Sequence, residues 1–417
     1  MLKVLFVDIM VFRRAFSYLS YSFLGSIVGI FTLMYMTRLM DPEELGVIGL
    51  FSTFIFFLVP AIGFKAENLV PINKSALSDL EYLQFRNAYI SLIFVLFILI
   101  YVISLIFVFR FYKSYFFFSV LVIPIAFFQC LSRVHGLELV QGGRSTLFGQ
   151  LQLSTGICAL VSTVFLVSSA GAGWEARLAA ILFAEFLFCW CRFCISSNIA
   201  NTYRFSFDGV EIFKIIKYGA PLFLALAVSW VVFESDKIIV AKFFSLSDLG
   251  LYTVAYSVGA FFNRINEAVS QAVLPKLYSK LKDNKGRKLV ARYSFYYGVF
   301  VLFLATFSSL VFYAFSGLVF GEAYESSRIV TCIVLFAYAF FGISRIGGIV
   351  INYYKLNILK VRLMLIAAVV NLVFSLSMLP YLGLQAPAYG TLVSFIVMAA
   401  LFYRAASKEM EKRGVAN

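Results

Sequence analysis

Charged residues are scarce in this sequence. They make up 13% of its 417 residues, against roughly 25% in soluble domains. The chain has a single histidine, His135, and contains neither an HExxH nor a GxxxxGK[ST] pattern. Its six cysteines lie in or beside apolar runs, which favours small buried side chains over metal ligands. The sequence therefore indicates no soluble catalytic domain, and we expect no enzyme activity, no cofactor and no metal site.

Long hydrophobic runs take up most of the chain. A membrane-spanning helix needs about 20 apolar residues. Twelve such runs lie near residues 15–36, 46–64, 88–109, 115–139, 147–168, 178–199, 218–241, 250–273, 294–316, 329–351, 363–383 and 386–403. The runs are continuous and lack the alternation of outer-membrane strands. The sequence thus predicts an all-α polytopic membrane protein with twelve transmembrane helices.

Basic residues are distributed unevenly over the predicted connections. With the N-terminus placed in the cytoplasm, 26 Lys and Arg residues lie on the cytoplasmic side and 7 on the other. Short cytoplasmic loops carry such an excess, so we expect both termini to be cytoplasmic. The net charge of +14 favours contact with anionic membrane lipids. We expect no binding of nucleic acid, because no basic domain remains to carry it.

The chain contains an internal repeat. RLMDPEELGV, from Arg38, aligns with KFFSLSDLGL, from Lys242. Further along, at slightly larger offsets, Arg86 falls on Arg292 and SRVHG at 132–136 falls on SRIGG at 344–348. Six spans per half give both halves the same orientation, as in parallel-repeat transporters. We therefore predict two six-helix lobes, residues 1–205 and 206–417.

Several arginines fall within or near the predicted spans. An arginine there costs about 2.5 to 3.5 kcal/mol on insertion scales, so it usually faces a bundle interior. Arg133 and Arg345 occupy equivalent positions of the repeat, and we interpret them as ligands for an anionic substrate. The alternative is that each snorkels to lipid headgroups. The further candidates for substrate binding are Arg264, Arg86, Arg292 and Asn263.

Acidic residues in the seventh and eighth spans are candidates for binding a coupling ion. They are Asp236, Glu234 and Glu267. Two alternatives stay open, because Glu234 can pair with Lys237 and Glu267 with Arg264, each three residues away on the same helix.

Two stretches carry a resemblance to a known family. DPEELGVIGL follows the first span, and SDKIIVAKFFSLSDLGLYTVAYSVGAFFNRINEAVSQAVLPKLYSK covers spans seven and eight. Together with the twelve spans, they resemble the Wzx-type polysaccharide flippases of the multidrug/oligosaccharidyl-lipid/polysaccharide exporter superfamily. The resemblance implies a two-lobed, MATE-like transporter in the bacterial inner membrane.

The resemblance also implies a cargo and partners. The cargo would be an oligosaccharide, such as an O-antigen or capsule repeat unit, linked to undecaprenyl pyrophosphate. It would move from the cytoplasmic to the periplasmic leaflet by alternating access, driven by an ion gradient or the membrane potential. The implied partners are this lipid-linked glycan and membrane lipids, with a polysaccharide polymerase and a chain-length regulator as candidate protein partners.

Three other functions are alternatives to this one. A cation or drug exporter of the same superfamily would favour an acidic interior, whereas the charges of spans four, eight and ten are mainly basic. A membrane-bound polysaccharide polymerase would need long outer loops with basic residues, which this sequence does not have. A non-transporting assembly subunit remains compatible with the sequence.

Overall fold

The computed structural model describes residues 2–111, 116–171, 173–197, 205–282 and 287–413. Within these residues there are twelve long α-helices and one short one, and no strand. The helices are α1 Leu2–Leu39, α2 Pro42–Ile62, α3 Leu69–Ala76, α4 Asp79–Phe111, α5 Phe116–Gln141, α6 Ser145–Ala170, α7 Trp174–Ser197, α8 Gly209–Phe243, α9 Leu246–Lys282, α10 Arg287–Phe320, α11 Arg328–Tyr353, α12 Asn357–Leu382 and α13 Ala386–Lys412. Each long helix contains most of one predicted span, so the all-α prediction is confirmed.

Most of these helices are long and apolar enough to cross a membrane. Among the described residues, nine stretches meet both conditions, and one of them, 357–412, contains both α12 and α13. Helix α9 is not among the nine, because polar side chains such as Asn263, Arg264 and Glu267 lower its hydropathy. The chain is therefore a multi-pass membrane protein.

The helix boundaries follow the repeat seen in the sequence. The alignment that places SRVHG on SRIGG also places the first and last residues of α6 on those of α12, and the start of α7 on the start of α13. The alignment of RLMDPEELGV with KFFSLSDLGL places the start of α2 on the start of α9. In the first half α5 packs on α7, and in the second half α11 packs on α13. The long helices of the two halves therefore follow one order, whereas the short α3 aligns with part of α9.

The chain divides into two compact units. Unit 1 comprises Met1–Thr32 and Phe51–Ala227, and unit 2 comprises Leu33–Leu50 and Val228–Asn417. Large buried side chains in unit 1 include Tyr89 and Phe85, and those in unit 2 include Tyr252 and Phe395. The predicted lobe boundary after residue 205 stays a prediction, since the units divide within α8 and unit 2 also takes in residues 33–50.

Two glycines explain why residues 33–50 belong to unit 2. A Cβ atom on Gly46 would overlap the carbonyl oxygen of Leu246, and one on Gly250 would overlap the carbonyl oxygen of Pro42. Small residues allow such close approach of helix backbones. The two glycines occupy the same position of the aligned stretches, so equivalent turns of the repeat contact each other reciprocally.

Side-chain hydrogen bonds also hold this segment. The Tyr324 hydroxyl donates a hydrogen bond to the Met40 carbonyl oxygen at 2.8 Å. Arg38 Nη2 donates to the Leu318 carbonyl oxygen at 3.0 Å. The end of α1 and the start of α2 are therefore fixed to α9, α10 and the turn before α11.

Candidate functional site

Asp236 lies on α8 in the interior of unit 2, where only 1% of its surface is exposed. Its Oδ1 accepts a hydrogen bond from the Lys237 backbone N–H at 2.9 Å. Its Oδ2 accepts one from the Thr391 hydroxyl of α13 at 3.3 Å. A carboxylate buried among helices requires polar partners, because burial of an unpaired charge is costly. The structure therefore places the predicted coupling residue in a defined polar environment.

The hydrogen bonds continue from Thr391 to three further side chains. The Tyr256 hydroxyl of α9 and the Asn371 amide of α12 each donate to Thr391 Oγ1 at 3.1 Å. The Ser375 hydroxyl donates to Asn371 Oδ1 at 3.1 Å. We call Asp236, Tyr256, Asn371, Ser375 and Thr391 the carboxylate cluster. Carboxylate, hydroxyl and amide oxygens are the ligands that hard cations prefer, so this cluster has the chemistry of a site for a small cation.

Glu234, the second predicted coupling residue, lies one helical turn from Lys237. The Lys237 ammonium donates to Glu234 Oε2 at 2.7 Å, and both side chains are largely buried. It also lies 5.6 Å from the centre of the Tyr256 ring. The local ion pair that the sequence allowed is therefore present, and it favours a structural role for Glu234.

Arg345, Asn263 and Glu267 meet in another part of unit 2. Arg345 Nη2 donates to Asn263 Oδ1 at 3.1 Å, and the guanidinium lies 4.9 Å from the centre of the Phe341 ring. The Glu267 carboxylate is near enough to interact electrostatically with Arg345. The structure thus joins Arg345 and Asn263 of the predicted substrate site by a hydrogen bond, and the charge of Glu267 acts on Arg345.

Arg86 belongs to a buried network in unit 1, with only 3% of its surface exposed. Its Nη1 lies 4.0 Å from Glu138 Oε1, which also accepts a hydrogen bond from the Tyr82 hydroxyl at 2.7 Å. His135 Nδ1 lies 3.4 Å from the other Glu138 oxygen. An enclosed ion pair of this kind favours a structural role for Arg86 over contact with a substrate.

The three remaining arginines of the prediction are exposed. Arg133 lies on α5 in unit 1, and Arg264 and Arg292 lie on α9 and α10 in unit 2. The Arg292 guanidinium lies 5.5 Å from the centre of the Tyr296 ring. Exposure suits both substrate binding and anchoring to headgroups, so the roles of these arginines stay predictions.

The sequence interpretation missed Thr391, Asn371 and Ser375. They are neutral polar residues, which are common in transmembrane helices because they help helices pack. One signal was available, since Asn371 and Ser375 lie four residues apart on one face of a mainly apolar run. Among the residues that the structure describes, no group of three or more His, Cys, Asp and Glu side chains could share a metal ion.

The sequence matches a family model and a curated relative. The model of a family described as polysaccharide biosynthesis protein matches residues 35–329. Lsg locus putative protein 1 of Haemophilus influenzae is 27% identical over 113 residues, a stretch that covers 27% of this chain and 28% of that protein. The chain therefore matches well under half of that relative's length.

Solved structures match the fold over 95% of the chain. A structure of the lipid II flippase MurJ in an inward closed conformation has a TM-score of 0.77 at 14% identity, covering 95% of this chain and 89% of that one. An inward-facing multidrug resistance MATE family transporter of the MOP superfamily has a TM-score of 0.70 at 14% identity, covering 95% and 96%. These likenesses confirm the predicted MATE-like fold.

Proposed function

The chain belongs to the polysaccharide biosynthesis protein family, and on this premise we propose that it is a flippase for a lipid-linked glycan. The cargo is an oligosaccharide, such as an O-antigen or capsule repeat unit, on undecaprenyl pyrophosphate. It moves from the cytoplasmic to the periplasmic leaflet of the bacterial inner membrane by alternating access. The observation that carries this proposal is Arg345, a cation in an apolar span that Asn263 holds in place.

The chemistry of the cargo explains the need for such a cation. A pyrophosphate group must cross roughly 30 Å of hydrocarbon with its negative charge. A guanidinium can offer two parallel N–H donors to phosphate oxygens. The bond from Nη2 to Asn263 orients the planar group, so its other donors point in fixed directions. Arg133, at the equivalent place of unit 1, stays a predicted substrate ligand in its own right.

We assign the coupling ion to the carboxylate cluster. Asp236 supplies the negative charge, and the hydroxyl and amide oxygens around it can replace part of a cation's hydration shell. The ion pair with Lys237 supports a structural task for Glu234. An ion gradient or the membrane potential would then drive transport through Asp236.

The buried Asp236 carboxylate also favours a second candidate, a cation or drug exporter. The fold is shared with MATE transporters, and an acidic interior suits a cationic cargo. The two candidates differ in the part of unit 2 that meets the cargo. A flippase uses Arg345 for cargo and Asp236 for coupling, whereas an exporter would use Asp236 for cargo.

A vesicle assay tests the proposal. The purified chain is reconstituted with a polyprenyl-pyrophosphate disaccharide that carries a fluorescent NBD group on its sugar, and dithionite is added outside to quench exposed label. We expect the protein to bring label from the inner leaflet within reach of dithionite, and Arg345→Gln to slow this. Arg362→Gln, an exposed arginine of α12, is the matched control and should flip at the wild-type rate.

Two results would contradict the proposal. One is label that stays protected in vesicles with the wild-type chain. The other is transport of a fluorescent organic cation by the same vesicles that depends on Asp236 and not on Arg345, which would favour the exporter.

A further inference from the structure

A second cation lies beside Arg345. Lys360, on α12, contacts Asn352 of α11. Asn352 follows Arg345 by about two helical turns on the same face of α11, and the charge of Arg345 acts on Lys360. Lys360 Nζ donates to Asn352 Oδ1 at 3.1 Å, just as Arg345 Nη2 donates to Asn263 Oδ1 at 3.1 Å. Each cation is therefore held by one amide oxygen, and helices α9, α11 and α12 all contribute to this group.

Positive charge exceeds negative charge at this place. Among the residues that the structure describes, Glu267 is the carboxylate whose charge acts on Arg345, and the charge that acts on Lys360 is that of Arg345. Lys360 also lies at the end of the first turn of α12, which has no acidic residue, and the field of a helix N-terminus disfavours cations. Like charges held together in apolar surroundings usually require a counter-charge.

Arg345 has one N–H donor without an acceptor among the described residues. Its Nε is buried, and none of the residues that the structure describes accepts a hydrogen bond from it. A buried donor without an acceptor destabilises the folded chain. An anion with several acceptor oxygens would satisfy this donor and balance the extra charge together.

The cation pair is confined to the second half of the chain. When SRVHG is aligned with SRIGG, Phe148 stands in place of Lys360 and Val140 in place of Asn352. The Phe148 ring lies directly against Gly136, so this position of unit 1 serves packing. Arg345 thus has a repeat equivalent in Arg133, whereas Lys360 has no basic equivalent.

We propose that Arg345 and Lys360 together form a two-cation subsite for a pyrophosphate group, in which each cation binds one phosphate. Asn263 and Asn352 are positioning residues that hold the cations in place. The inference rests on the proposed function and adds Lys360 to its substrate site. The same chemistry would accept a phosphate of a lipid headgroup, and the experiment separates these two sources.

The test measures binding of inorganic pyrophosphate to the full-length chain in phosphatidylcholine nanodiscs, by calorimetry. Losing one charge-assisted hydrogen bond weakens binding by about tenfold or more, and we expect this for Arg345→Gln and for Lys360→Gln. Lys360→Arg should keep most of the affinity. Arg362→Gln removes an exposed charge from the same helix and should bind as the wild type does.

A second variant tests the subsite if Lys360→Gln does not fold. Asn352→Asp keeps Lys360 in place but pairs it with a carboxylate, so it should also weaken pyrophosphate binding. Normal binding by both Lys360→Gln and Asn352→Asp, alongside weakened binding by Arg345→Gln, would overturn the inference and leave the proposed function standing. Absence of pyrophosphate binding by the wild-type chain would overturn it as well, even where the vesicle assay shows flipping.

Competition identifies the source of the phosphate. Displacement of pyrophosphate by polyprenyl pyrophosphate alone assigns the subsite to the cargo. Displacement also by phosphatidylglycerol added to the nanodiscs shows that the subsite accepts phosphate headgroups in general. Displacement by neither lipid would contradict the subsite.

Discussion

At the scale of single residues, Asp236 and Glu234 should respond differently to neutralisation although they lie close together on one helix. Asp236→Asn keeps the shape of the side chain and removes the charge that we assign to ion coupling. We expect flipping to slow by about tenfold or more, which corresponds to the loss of one charge-assisted interaction. Flipping should also lose its dependence on the ion gradient. Both effects are measured in the vesicle assay with and without a gradient.

Glu234→Gln is the matched control for this prediction. It leaves the Lys237 ammonium buried without its carboxylate partner, and breaking a buried pair in this way costs about 3 to 5 kcal/mol. We expect a lower unfolding temperature and a preserved response to the gradient. A gradient response that survives in Asp236→Asn would remove the carboxylate cluster from the coupling mechanism.

Replacing Arg345 by lysine separates substrate binding from anchoring to headgroups. Lysine keeps the charge but cannot make the planar two-point contact, so Arg345→Lys should recover only part of the rate lost in Arg345→Gln. Anchoring predicts instead that lysine serves as well as arginine. Equal flipping rates and equal yields for Arg345→Lys and the wild type would favour anchoring, and the same pair of variants at Arg133 tests its equivalent.

At the scale of helices, the reciprocal glycine contact fixes how α2 meets α9. Alanine at Gly46 or Gly250 would press a methyl group into a backbone carbonyl that has little freedom to move. We expect each variant to lower the free energy of unfolding by about 1 to 3 kcal/mol, as overpacking does. Thermal unfolding in detergent measures this effect.

Gly29 of α1 provides the matched control, because a Cβ atom there would meet nothing within 4 Å. Gly29→Ala should leave stability unchanged or raise it slightly, since alanine favours helix. Unchanged stability in both Gly46→Ala and Gly250→Ala would show that the two helix starts are not held by this contact.

The sequence predicted the long helices better than their ends. The apolar run 250–273 identified α9, but the helix extends over Leu246–Lys282, because helix ends beyond the hydrocarbon need not be apolar. The short helix α3 was missed, since its eight residues form no apolar run of their own. Hydrophobicity predicts the part of a helix that must lie in hydrocarbon. It does not predict helical residues that are surrounded by water or by protein.

The same limit applies to the candidate site. Asp236 and Arg345 stood out because charge is rare in an apolar span. The residues around Asp236 did not, because the bond between Thr391 and Asp236 joins positions 155 residues apart. Such contacts depend on how helices pack, which the pattern of a single helix does not specify.

At the scale of the whole molecule, the two halves of the repeat have equivalent long helices but different buried charges. Unit 2 contains both the carboxylate cluster and Arg345 with Asn263, whereas unit 1 contains the buried network around Glu138. In the aligned repeat, Thr32 stands in place of Asp236, and Val350 stands in place of Glu138. The two halves therefore have equivalent long helices and differ in the polar side chains that they bury.

The orientation of the chain is a prediction that reporter fusions can check. The excess of basic residues places the turn at Lys355 in the cytoplasm and the turn at Glu322 in the periplasm. A phosphatase that is active only in the periplasm should be active after Glu322 and silent after Lys355. The reverse pattern would invert the proposed direction of transport.

We propose that this chain brings a lipid-linked glycan to the periplasmic leaflet, and the sidedness of that glycan in living cells checks this proposal. The measurement labels the glycan of intact spheroplasts with a membrane-impermeant lectin, in cells that lack this chain's gene and in cells in which it is restored. We predict that the lipid-linked glycan is protected from the lectin without the chain and becomes accessible when the chain is restored, but not with Arg345→Gln. Glycan that is equally accessible in cells with and without the chain would contradict the account.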